Sequence, residues 1–383
     1  MDRFIEQLPF FTPDHLELAR SVAKFVQLEV QGPNADESDV DARVRHYVKA
    51  LAKAGALNYV ACDAPLDIRS VCLIREGLSY ASTLADLAFV MQGLGTYAIS
   101  RAAPDHVRDF WLTRAAEGKS IAALAITEPE AGSDVAAIQT TARREGDSYV
   151  INGRKRFISN AGIADFYTVF ARTGSSPSGK ASLSTFVISA KLPGFSVIEQ
   201  TSLISPHPIG EIAFTDCRVP AQDMVGTEGS GFGLAMETLD IFRSSVGAAA
   251  CGMARRALDE ALKYSSTRKQ FGKLLIEHQL IQEKLADMVT QLDAARLLVY
   301  RAAYTKDTTS ARVTREASEA KLFATEVAGK IIDDAVQIHG GSGLVRGSVV
   351  ERLYRDVRAL RIYEGTSEIQ KLVIASQLMK EER

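Results

Sequence analysis

The sequence predicts an α+β fold that is mostly helical, because two helical regions enclose one region of short strands. Apolar residues recur at three- and four-residue steps near both ends of the chain, which indicates amphipathic helices. Between them, short apolar runs alternate with turn residues, which is typical of strands. We therefore predict an N-terminal helical domain over 1–119, a middle antiparallel β domain over 120–225 and a C-terminal four-helix bundle over 226–383.

The N-terminal region carries two long helical stripes and one shorter helix. The two stripes consist of Leu16, Ala19, Val22, Ala23 and Val26, and of Val44, Tyr47, Val48, Leu51 and Ala54. Gly55 follows the second stripe, where a glycine can adopt the left-handed conformation that ends many helices. A shorter helix includes Val107 and Arg114, and Gly118 is placed to end it.

The spacing changes in the middle region. An apolar run covers 121–126, and further strand candidates cover 166–171, 185–188 and 211–214. The pairs Gly146-Asp147 and Asn152-Gly153 predict hairpin turns, because these residue types tolerate the positive φ of tight turns.

Helical spacing returns after the glycine-rich stretch 226–233. Two long stripes consist of Ile281, Leu285, Met288, Leu292 and Ala295, and of Ala324, Val327, Ala328, Ile331, Ala335 and Ile338. Gly340-Gly341 closes the second stripe. A last helix begins near Ser367, where Ser367-x-x-Gln370 has the spacing of a capping box.

Composition excludes several classes of function. The net charge of −2 gives no basic excess for nucleic acid. No apolar run reaches the roughly 18 residues of a membrane-spanning helix, so we expect no membrane insertion. Four cysteines without a CxxC pair and six histidines without HExxH predict neither a disulfide scaffold nor a metal site. The first residues do not resemble a targeting segment, so we expect a cytoplasmic enzyme.

Three segments have the residue types of a chemical site. The first runs from Ala125 to Asp134 and reads AITEPEAGSD. A strand enters a tight turn that offers backbone N–H groups beside the hydroxyls of Thr127 and Ser133, which suits the edge of a planar heteroaromatic ring. Taken alone, this pattern also fits an ordinary capped turn.

The second segment is RKQFGK over 268–273, followed by His278 and Gln279. Two basic residues and an aromatic at a helix break are consistent with phosphate binding, for which arginine provides a charged fork. A solvated helix end is the alternative.

The third segment runs from Gln337 to Gln370 and includes QIHGGSG and IYEGTSE. Glu364 lies between Ile362 and Gly365, just before a helix start. An acid enclosed by apolar groups has a raised pKa and becomes a better general base near neutrality. Without the other segments, Glu364 would fit a surface turn as well.

Together the three segments resemble the acyl-CoA dehydrogenase family, from about residue 15 to about residue 380. The TEPxAGSD stretch and the QIHGGSG…RLYRD…IYEGTSE stretch carry this resemblance. It implies an FAD-dependent enzyme, a usual homotetramer, and FAD bound between the β domain and the C-terminal bundle. By motif match, the implied FAD contacts are Leu124, Ile126, Thr127, Ser133, Phe157, Ser159, Arg268, Phe271, Gln279, Gln337, Gly341, Thr366 and Glu368.

The resemblance also implies the chemistry. Glu364 matches the family's catalytic base, which removes the α-proton of an acyl-CoA thioester while the β-hydrogen leaves as hydride to flavin N5. Electrons would then pass to an electron-transferring flavoprotein. The implied substrate contacts are Ser133, Asp240, Arg243, Tyr363 and Gly365. The alternatives are an acyl-CoA oxidase, a flavin monooxygenase, a dehydrogenase linked to an acyl carrier protein, and a non-enzymatic subunit of the same fold.

The chain departs from the family pattern at three places. The stretch 59–67 is shorter than usual and lacks a Pro-Glu-x-x-Gly-Gly loop. The stretch 203–209 reads LISPHPI where relatives carry Gly-Ile-Arg-x-Ser-x-Thr, and Gly347 replaces an acidic or amide residue. The first two departures lie in regions that adjoin the acyl and CoA channels of relatives. We expect the enzyme to act in fatty acid or acyl-CoA catabolism. The two departures argue against a plain straight-chain fatty acyl group as its substrate.

Overall fold

The structure is a computed structural model that describes residues 3–31, 37–175, 181–309 and 312–381. Helices come first along the chain, strands follow, and helices return, which confirms the predicted α+β and mostly helical fold. Contacts divide the chain into two compact units. Unit 1 comprises Met1–Ala35, Asp67–Asp86 and Asp240–Arg383, and unit 2 comprises Asp36–Leu66 and Leu87–Leu239.

Eleven α-helices are found in the described residues. They are α1 (Arg3–Gln7), α2 (Pro13–Phe25), α3 (Val40–Lys53), α4 (Ile68–Ala81), α5 (Thr83–Ala102), α6 (Asp105–Ala116), α7 (Gly231–Ser265), α8 (Gln279–Thr308), α9 (Thr314–His339), α10 (Val349–Val357) and α11 (Ser367–Glu381). A short π-helical segment, Val26–Val30, continues α2. None of these helices is both long and apolar enough to cross a membrane.

The predicted helical stripes of the N-terminal region coincide with observed helices. Val44, Tyr47 and Val48 are buried on α3. Gly55 follows α3 with φ +74°, and Gly118 follows α6 with φ +65°. Both glycines therefore adopt the left-handed conformation from which the helix ends were predicted.

Unit 2 contains a seven-stranded sheet. Its strands are β1 (Ala122–Ala125), β2 (Thr141–Glu145), β3 (Ser148–Ser159), β4 (Phe166–Ser175), β5 (Ala181–Ser189), β6 (Phe195–Gln200) and β7 (Ile209–Pro220). They follow the order β1-β4-β2-β3-β7-β6, and β5 pairs with β4. Most pairs are antiparallel, as predicted, while β4 pairs in parallel with β1 and, at one position, with β2.

One of the two predicted hairpin turns is wrong. Gly146 has φ +61° and connects β2 to β3, as expected. Asn152-Gly153 instead lies within β3, where the register to β7 shifts between Ile151 and Gly153. The positive φ that glycine permits is used there for a β-bulge, a local irregularity that bends a strand without ending it.

The predicted capping box of α11 is also wrong. Thr366 Oγ1 accepts a hydrogen bond from the Ile369 N–H at 3.3 Å, so the capping hydroxyl comes from the preceding residue. Ser367 Oγ donates to Glu326 Oε1 instead. The Gln370 side chain points towards the carbonyl oxygens of Glu364 and Gly365.

Candidate active site

In unit 2, the turn after β1 presents the first group of predicted site residues. Reciprocal backbone hydrogen bonds between Glu128 and Ala131, at 2.9 and 3.2 Å, close this turn. Leu124 and Thr127 are half-buried and Ile126 is buried. Ser133 is exposed just beyond the turn. The strand therefore delivers apolar side chains and hydroxyls to one end of the sheet.

The end of β3 lies beside this turn. The Arg156 N–H donates to the Thr127 carbonyl at 2.9 Å, which joins the two predicted flavin-contacting stretches. Phe157 is 49% exposed although it is a large aromatic, and its φ is +53°. Ser159 is half-buried two residues later. Holding a bulky residue in the left-handed region costs roughly 1–3 kcal/mol, and such residues cluster at binding sites.

A buried ion pair supports the turn. Lys155 Nζ donates to Glu128 Oε1 at 2.8 Å and to the Ile126 carbonyl at 3.0 Å. Burial lowers the pKa of Lys155 to about 8, against the opposing influence of Glu128. Burial alone would raise the pKa of Glu128, but Lys155 and the Gln139 N–H outweigh it and hold that pKa below its ordinary value. Charge-assisted hydrogen bonds of Lys155 therefore hold the Ile126 carbonyl, directly before Thr127, in place.

His207, in the stretch that departs from the family pattern, contacts a predicted site residue. Its Nε2 lies 2.8 Å from Ser159 Oγ. Burial lowers the pKa of His207 to about 4, so the imidazole is neutral at neutral pH. The departure over 203–209 therefore reaches the predicted flavin-contacting end of β3.

In unit 1, the second predicted segment forms a small hairpin after α7. Strands β8 (Lys269–Gln270) and β9 (Lys273–Leu274) pair in antiparallel fashion. At the tip, Phe271 and Gly272 have φ of +52° and +82°, and the Phe271 ring is 94% exposed. The Phe271 ring meets the His278 ring edge-on, with the centroids 6.2 Å apart, and leaves most of its apolar surface uncovered.

The base of the hairpin lies against the end of α9. Tyr264 and His339 stack with their ring centroids 4.4 Å apart, and the Arg268 N–H donates to the Tyr264 carbonyl at 2.9 Å. Gln337 and Gly341, which flank His339, are exposed, as is Gln279 at the start of α8. The stack and this hydrogen bond connect the segment that contains Arg268 to the end of α9.

The third predicted segment forms a strained turn between α10 and α11. Glu364 has φ +54° and Gly365 has φ +95°. Glu364 Oε2 is buried and has no hydrogen-bond partner among the residues that the structure describes. A buried oxygen without a partner is costly, and a ligand bound beside Glu364 would supply the missing partner.

Charged side chains surround Glu364 within unit 1. Arg75 is buried and binds Asp86 with two hydrogen bonds of 2.8 and 2.7 Å, while its Nη1 donates to Ser245 Oγ at 2.9 Å. Burial raises the pKa of Glu364, and Arg75, then Lys321 and Arg243, oppose this rise. The carboxyl group is therefore a stronger base than an exposed glutamate.

The predicted substrate contacts of unit 1 gather at the same turn. Arg243 Nη1 donates to Asp240 Oδ1 at 2.7 Å, and its Nε lies 3.4 Å from the Glu364 carbonyl oxygen. Tyr363 and Gly365 are the chain neighbours of Glu364. The structure therefore brings four of the five predicted contacts together, while Ser133 belongs to unit 2.

Thr366 directly precedes α11, and Glu368 lies in the first turn of this helix. They line a small polar pocket that also includes Glu326 and Arg361. Arg361 Nη1 donates to Glu326 Oε2 at 2.9 Å, so that carboxylate is already paired. Glu368 is exposed, and hydrogen bonds from the backbone and from Thr366 hold its pKa below the ordinary value.

Each unit by itself exposes residues that fit contact with part of a large planar cofactor. Phe157 and Phe271 expose aromatic surface from strained backbone, which a stacked or covering group would bury. A Cβ added at Gly132, Gly340 or Gly341 would meet open space, so a ligand has room to approach the backbone there. In the part of the chain that the structure describes, no group of three or more His, Cys, Asp or Glu side chains is placed to hold a metal ion.

Comparison with known proteins agrees with this geometry. Sequence profiles described as the N-terminal, middle and C-terminal domains of acyl-CoA dehydrogenase match residues 12–119, 123–217 and 229–379. The chain belongs to the acyl-CoA dehydrogenase family. Like other acyl-CoA dehydrogenases, it is an FAD-dependent oxidoreductase that acts on CH–CH groups.

Three relatives illustrate the family. A 3-(aryl)acrylate reductase of Clostridium sporogenes is 42% identical over 97% of this chain and all of its own length. A cyclohexane-1-carbonyl-CoA dehydrogenase of Geobacter metallireducens is 40% identical over 81% of this chain and 82% of its own. A glutaryl-CoA dehydrogenase of Mycobacterium smegmatis, solved in complex with FADH2, has a TM-score of 0.88 at 27% identity, over 97% of this chain and 96% of its own.

Sequence reasoning missed several residues that support this acyl-CoA dehydrogenase site. They are Lys155, Arg75 and Lys321, and also Gln370, which the sequence analysis named only as part of a capping box. One signal was available: Lys321 lies on the apolar stripe of α9, between the buried Ala317 and Ala324. A lysine on a buried stripe is rarely without a charge or hydrogen-bond partner. The sequence position of Lys321 could therefore have identified it as a buried residue with a partner. The partner of Gln370 could not have been found, because its contacts are backbone carbonyls of an irregular turn.

Proposed function

We propose that this acyl-CoA dehydrogenase removes the α-proton of an acyl-CoA thioester with Glu364 while the β-hydrogen leaves as hydride. The observation that carries the proposal is the buried Oε2 of Glu364, for which the described part of the chain offers no hydrogen-bond partner. Its raised pKa supports a base that takes a proton from a weakly acidic carbon.

FAD, when bound, supplies the hydride acceptor. In our proposal, the residues around Thr127 and Phe157 hold the ring, and the hairpin with Phe271 holds the phosphate and adenosine portions. Arg268 would pair with phosphate through its guanidinium fork. The exposed Phe271 ring supports this, because it gains a covering only when another group binds it.

The remaining residues act on the thioester. The Glu364 N–H is proposed to donate to the thioester carbonyl, which stabilises negative charge on that oxygen as the proton leaves. Arg243 and Asp240 are proposed to bind the CoA portion, with Tyr363, Gly365 and Ser133 around the acyl group. The mutual ion pair of Arg243 and Asp240, at 2.7 Å, keeps both side chains ordered for this task.

The acyl group is proposed to carry a ring. Two relatives at 40% identity or more are named for aryl or cyclohexane substrates. The stretch 203–209 departs from the pattern of straight-chain relatives, and its His207 reaches the end of β3. In our proposal, this changed stretch shapes the acyl pocket for a bulky group and not for a linear one.

A second candidate is the reverse reaction, reduction of an α,β-unsaturated acid derivative. The 42% identity to a 3-(aryl)acrylate reductase favours it. In that direction a protonated Glu364 would return the proton to the α-carbon, by microscopic reversibility. An acyl-CoA oxidase and a dehydrogenase linked to an acyl carrier protein remain the further alternatives.

The other proposals rest on the family. Electron-transferring flavoprotein is the proposed electron acceptor, and a homotetramer is the proposed assembly. The domain boundaries at 119/120 and 225/226 and a cytoplasmic location stay predictions.

The test is an anaerobic panel of acyl-CoA thioesters, with loss of flavin absorbance as the measurement. The panel contains butyryl-CoA, cyclohexane-1-carbonyl-CoA and 3-phenylpropionyl-CoA. Glu364→Gln should keep FAD and lose reduction by roughly 10²–10⁴-fold, the contribution typical of a general base. The exposed Glu17→Gln serves as control, and a Glu364→Gln enzyme that reduces its flavin at the normal rate would refute the base assignment.

A further inference from the structure

The turn that carries Glu364 is held by a set of donors that we call the carbonyl clamp, formed by Lys321, Gln370 and Arg243. Lys321 Nζ donates to the Gly365 carbonyl at 2.7 Å. Gln370 Nε2 donates to the carbonyls of Glu364 and Gly365 at 3.1 and 3.0 Å. Arg243 Nε approaches the Glu364 carbonyl at 3.4 Å. The carbonyl oxygens of two successive residues thus each accept hydrogen bonds from the clamp.

Lys321 is the unusual member of the clamp. Its side chain is fully buried (0% exposed) on α9, among alanines of the same helix face. Its hydrogen bond goes to a backbone carbonyl of the turn. An ammonium in such a place costs stability, because the buried charge loses its water. A function that needs the buried ammonium would explain why this destabilising residue is present.

The position of Lys321 indicates such a function, because Lys321 bonds the turn that carries Glu364. Glu364 and Gly365 have φ of +54° and +95°, and a turn of this kind persists only when its surroundings hold it. We propose that Lys321 is a positioning residue for Glu364: its ammonium fixes the Gly365 carbonyl, and so keeps the carboxylate in its buried place opposite a positive charge. This inference rests on the proposed role of Glu364 as the base.

The charges around the pair determine what removal of Lys321 does. The charged groups that face Lys321 are Glu364, Arg243, Glu326 and Glu368. Arg75 and Asp86 also face Glu364. Burial lowers the pKa of Lys321 to about 8, so the ammonium form prevails at neutral pH. Lys321 lowers the pKa of Glu364, and its loss therefore raises that pKa further.

The experiment compares Lys321→Met, which removes donor and charge, with Lys321→Gln, which removes the charge and keeps a donor. Lys330→Met, at an exposed position of the same helix, is the matched control. The first readout is the pH profile of anaerobic flavin reduction by butyryl-CoA and cyclohexane-1-carbonyl-CoA. The second is exchange of the α-hydrogen of these thioesters with deuterated water on the dithionite-reduced holoenzyme, which reports proton removal without hydride transfer.

Lys321→Met should move the acidic limb of the profile up by about one pH unit, and slow the exchange on the order of tenfold. Lys321→Gln should show the same shift of the limb and recover part of the exchange rate. FAD content and melting temperature verify folding. If Lys321→Met does not fold, the pH profile of Lys321→Gln tests the inference. An acidic limb at the wild-type pH in the folded variant would overturn the inference. If Glu364→Gln itself keeps activity, the proposed function fails first, so the two failures are distinguishable.

Discussion

Lys155 Nζ lies 2.8 Å from Glu128 Oε1, and both side chains are buried in unit 2. The pair joins β3 to the turn that carries Thr127, since Lys155 also bonds the Ile126 carbonyl. The pair holds the predicted flavin-contacting residues in place through the Ile126 carbonyl, which directly precedes Thr127. The pair is therefore a link between the stability of the sheet and the order of the site.

Removal of one partner should be costly. Lys155→Met leaves the Glu128 carboxylate buried without its cation, and we expect a loss of about 3–5 kcal/mol in the free energy of unfolding. Urea unfolding of the FAD-free protein measures it. Lys119→Met, which breaks an exposed pair with Glu117, should cost less than about 1 kcal/mol. Equal losses in the two variants would contradict the assigned role of burial.

Gly365 should not tolerate a side chain. A Cβ there would lie 2.5 Å from Gln370 Nε2, and φ is +95°. Gly365→Ala should therefore displace Gln370 and lower flavin reduction as well as the melting temperature. Gly347→Ala is a matched control, because φ is +89° there and a Cβ would meet open space. The control carries the backbone strain of roughly 1–3 kcal/mol without the collision, so similar reduction rates in both variants would show that the collision is unimportant.

His207 should make stability depend on pH. Burial lowers its pKa to about 4 from 6.5, so the unfolded chain binds a proton in this interval that the folded chain does not. The wild type should lose about 1–3 kcal/mol of unfolding free energy as the pH falls from 6.5 to 4. His207→Gln should lack this part of the loss, whereas the exposed His46→Gln should retain it. Unfolding titrations at several pH values provide the measurement.

Phe157 should contribute to FAD affinity through its exposed ring face. Phe157→Ala should weaken FAD binding by about 0.5–1.5 kcal/mol, and Phe157→Trp should preserve it, because an aromatic face is kept. Fluorescence titration of the FAD-free protein with FAD gives the dissociation constants. The control is Phe110→Ala, which removes another exposed phenylalanine, on α6. Identical FAD affinity in the Phe157 and Phe110 alanine variants would exclude a stacking role.

The fold class followed from the sequence because periodicity reports which face of an element is buried. The stripe on α3 and the turn at Gly55 were predicted for this reason, and both are observed. Asn152-Gly153 was misread, since a glycine with positive φ serves a bulge as well as a turn. Ser367 was misread because a neighbouring hydroxyl, that of Thr366, satisfies the same N–H group.

The site was predictable where it is a continuous motif, as at Glu364 and Thr127. Its supporting contacts were not, because they join residues distant in the chain. Lys321 and Gly365 are 44 positions apart, and Arg75 and Ser245 are 170 apart. Such pairs depend on how helices pack, and a single sequence shows neither their distance nor their orientation.

Five non-glycine residues of the described chain have positive φ, and three of them, Phe157, Phe271 and Glu364, are predicted site residues. An engineer seeking heat resistance would relax such positions first, by introducing glycine or asparagine. Here each relaxation would delete a ring or the acid on which turnover is proposed to depend. Substitutions that relieve backbone strain at these three positions are therefore expected to raise thermal stability and lower activity. Directed evolution for thermal stability should target other positions of the enzyme.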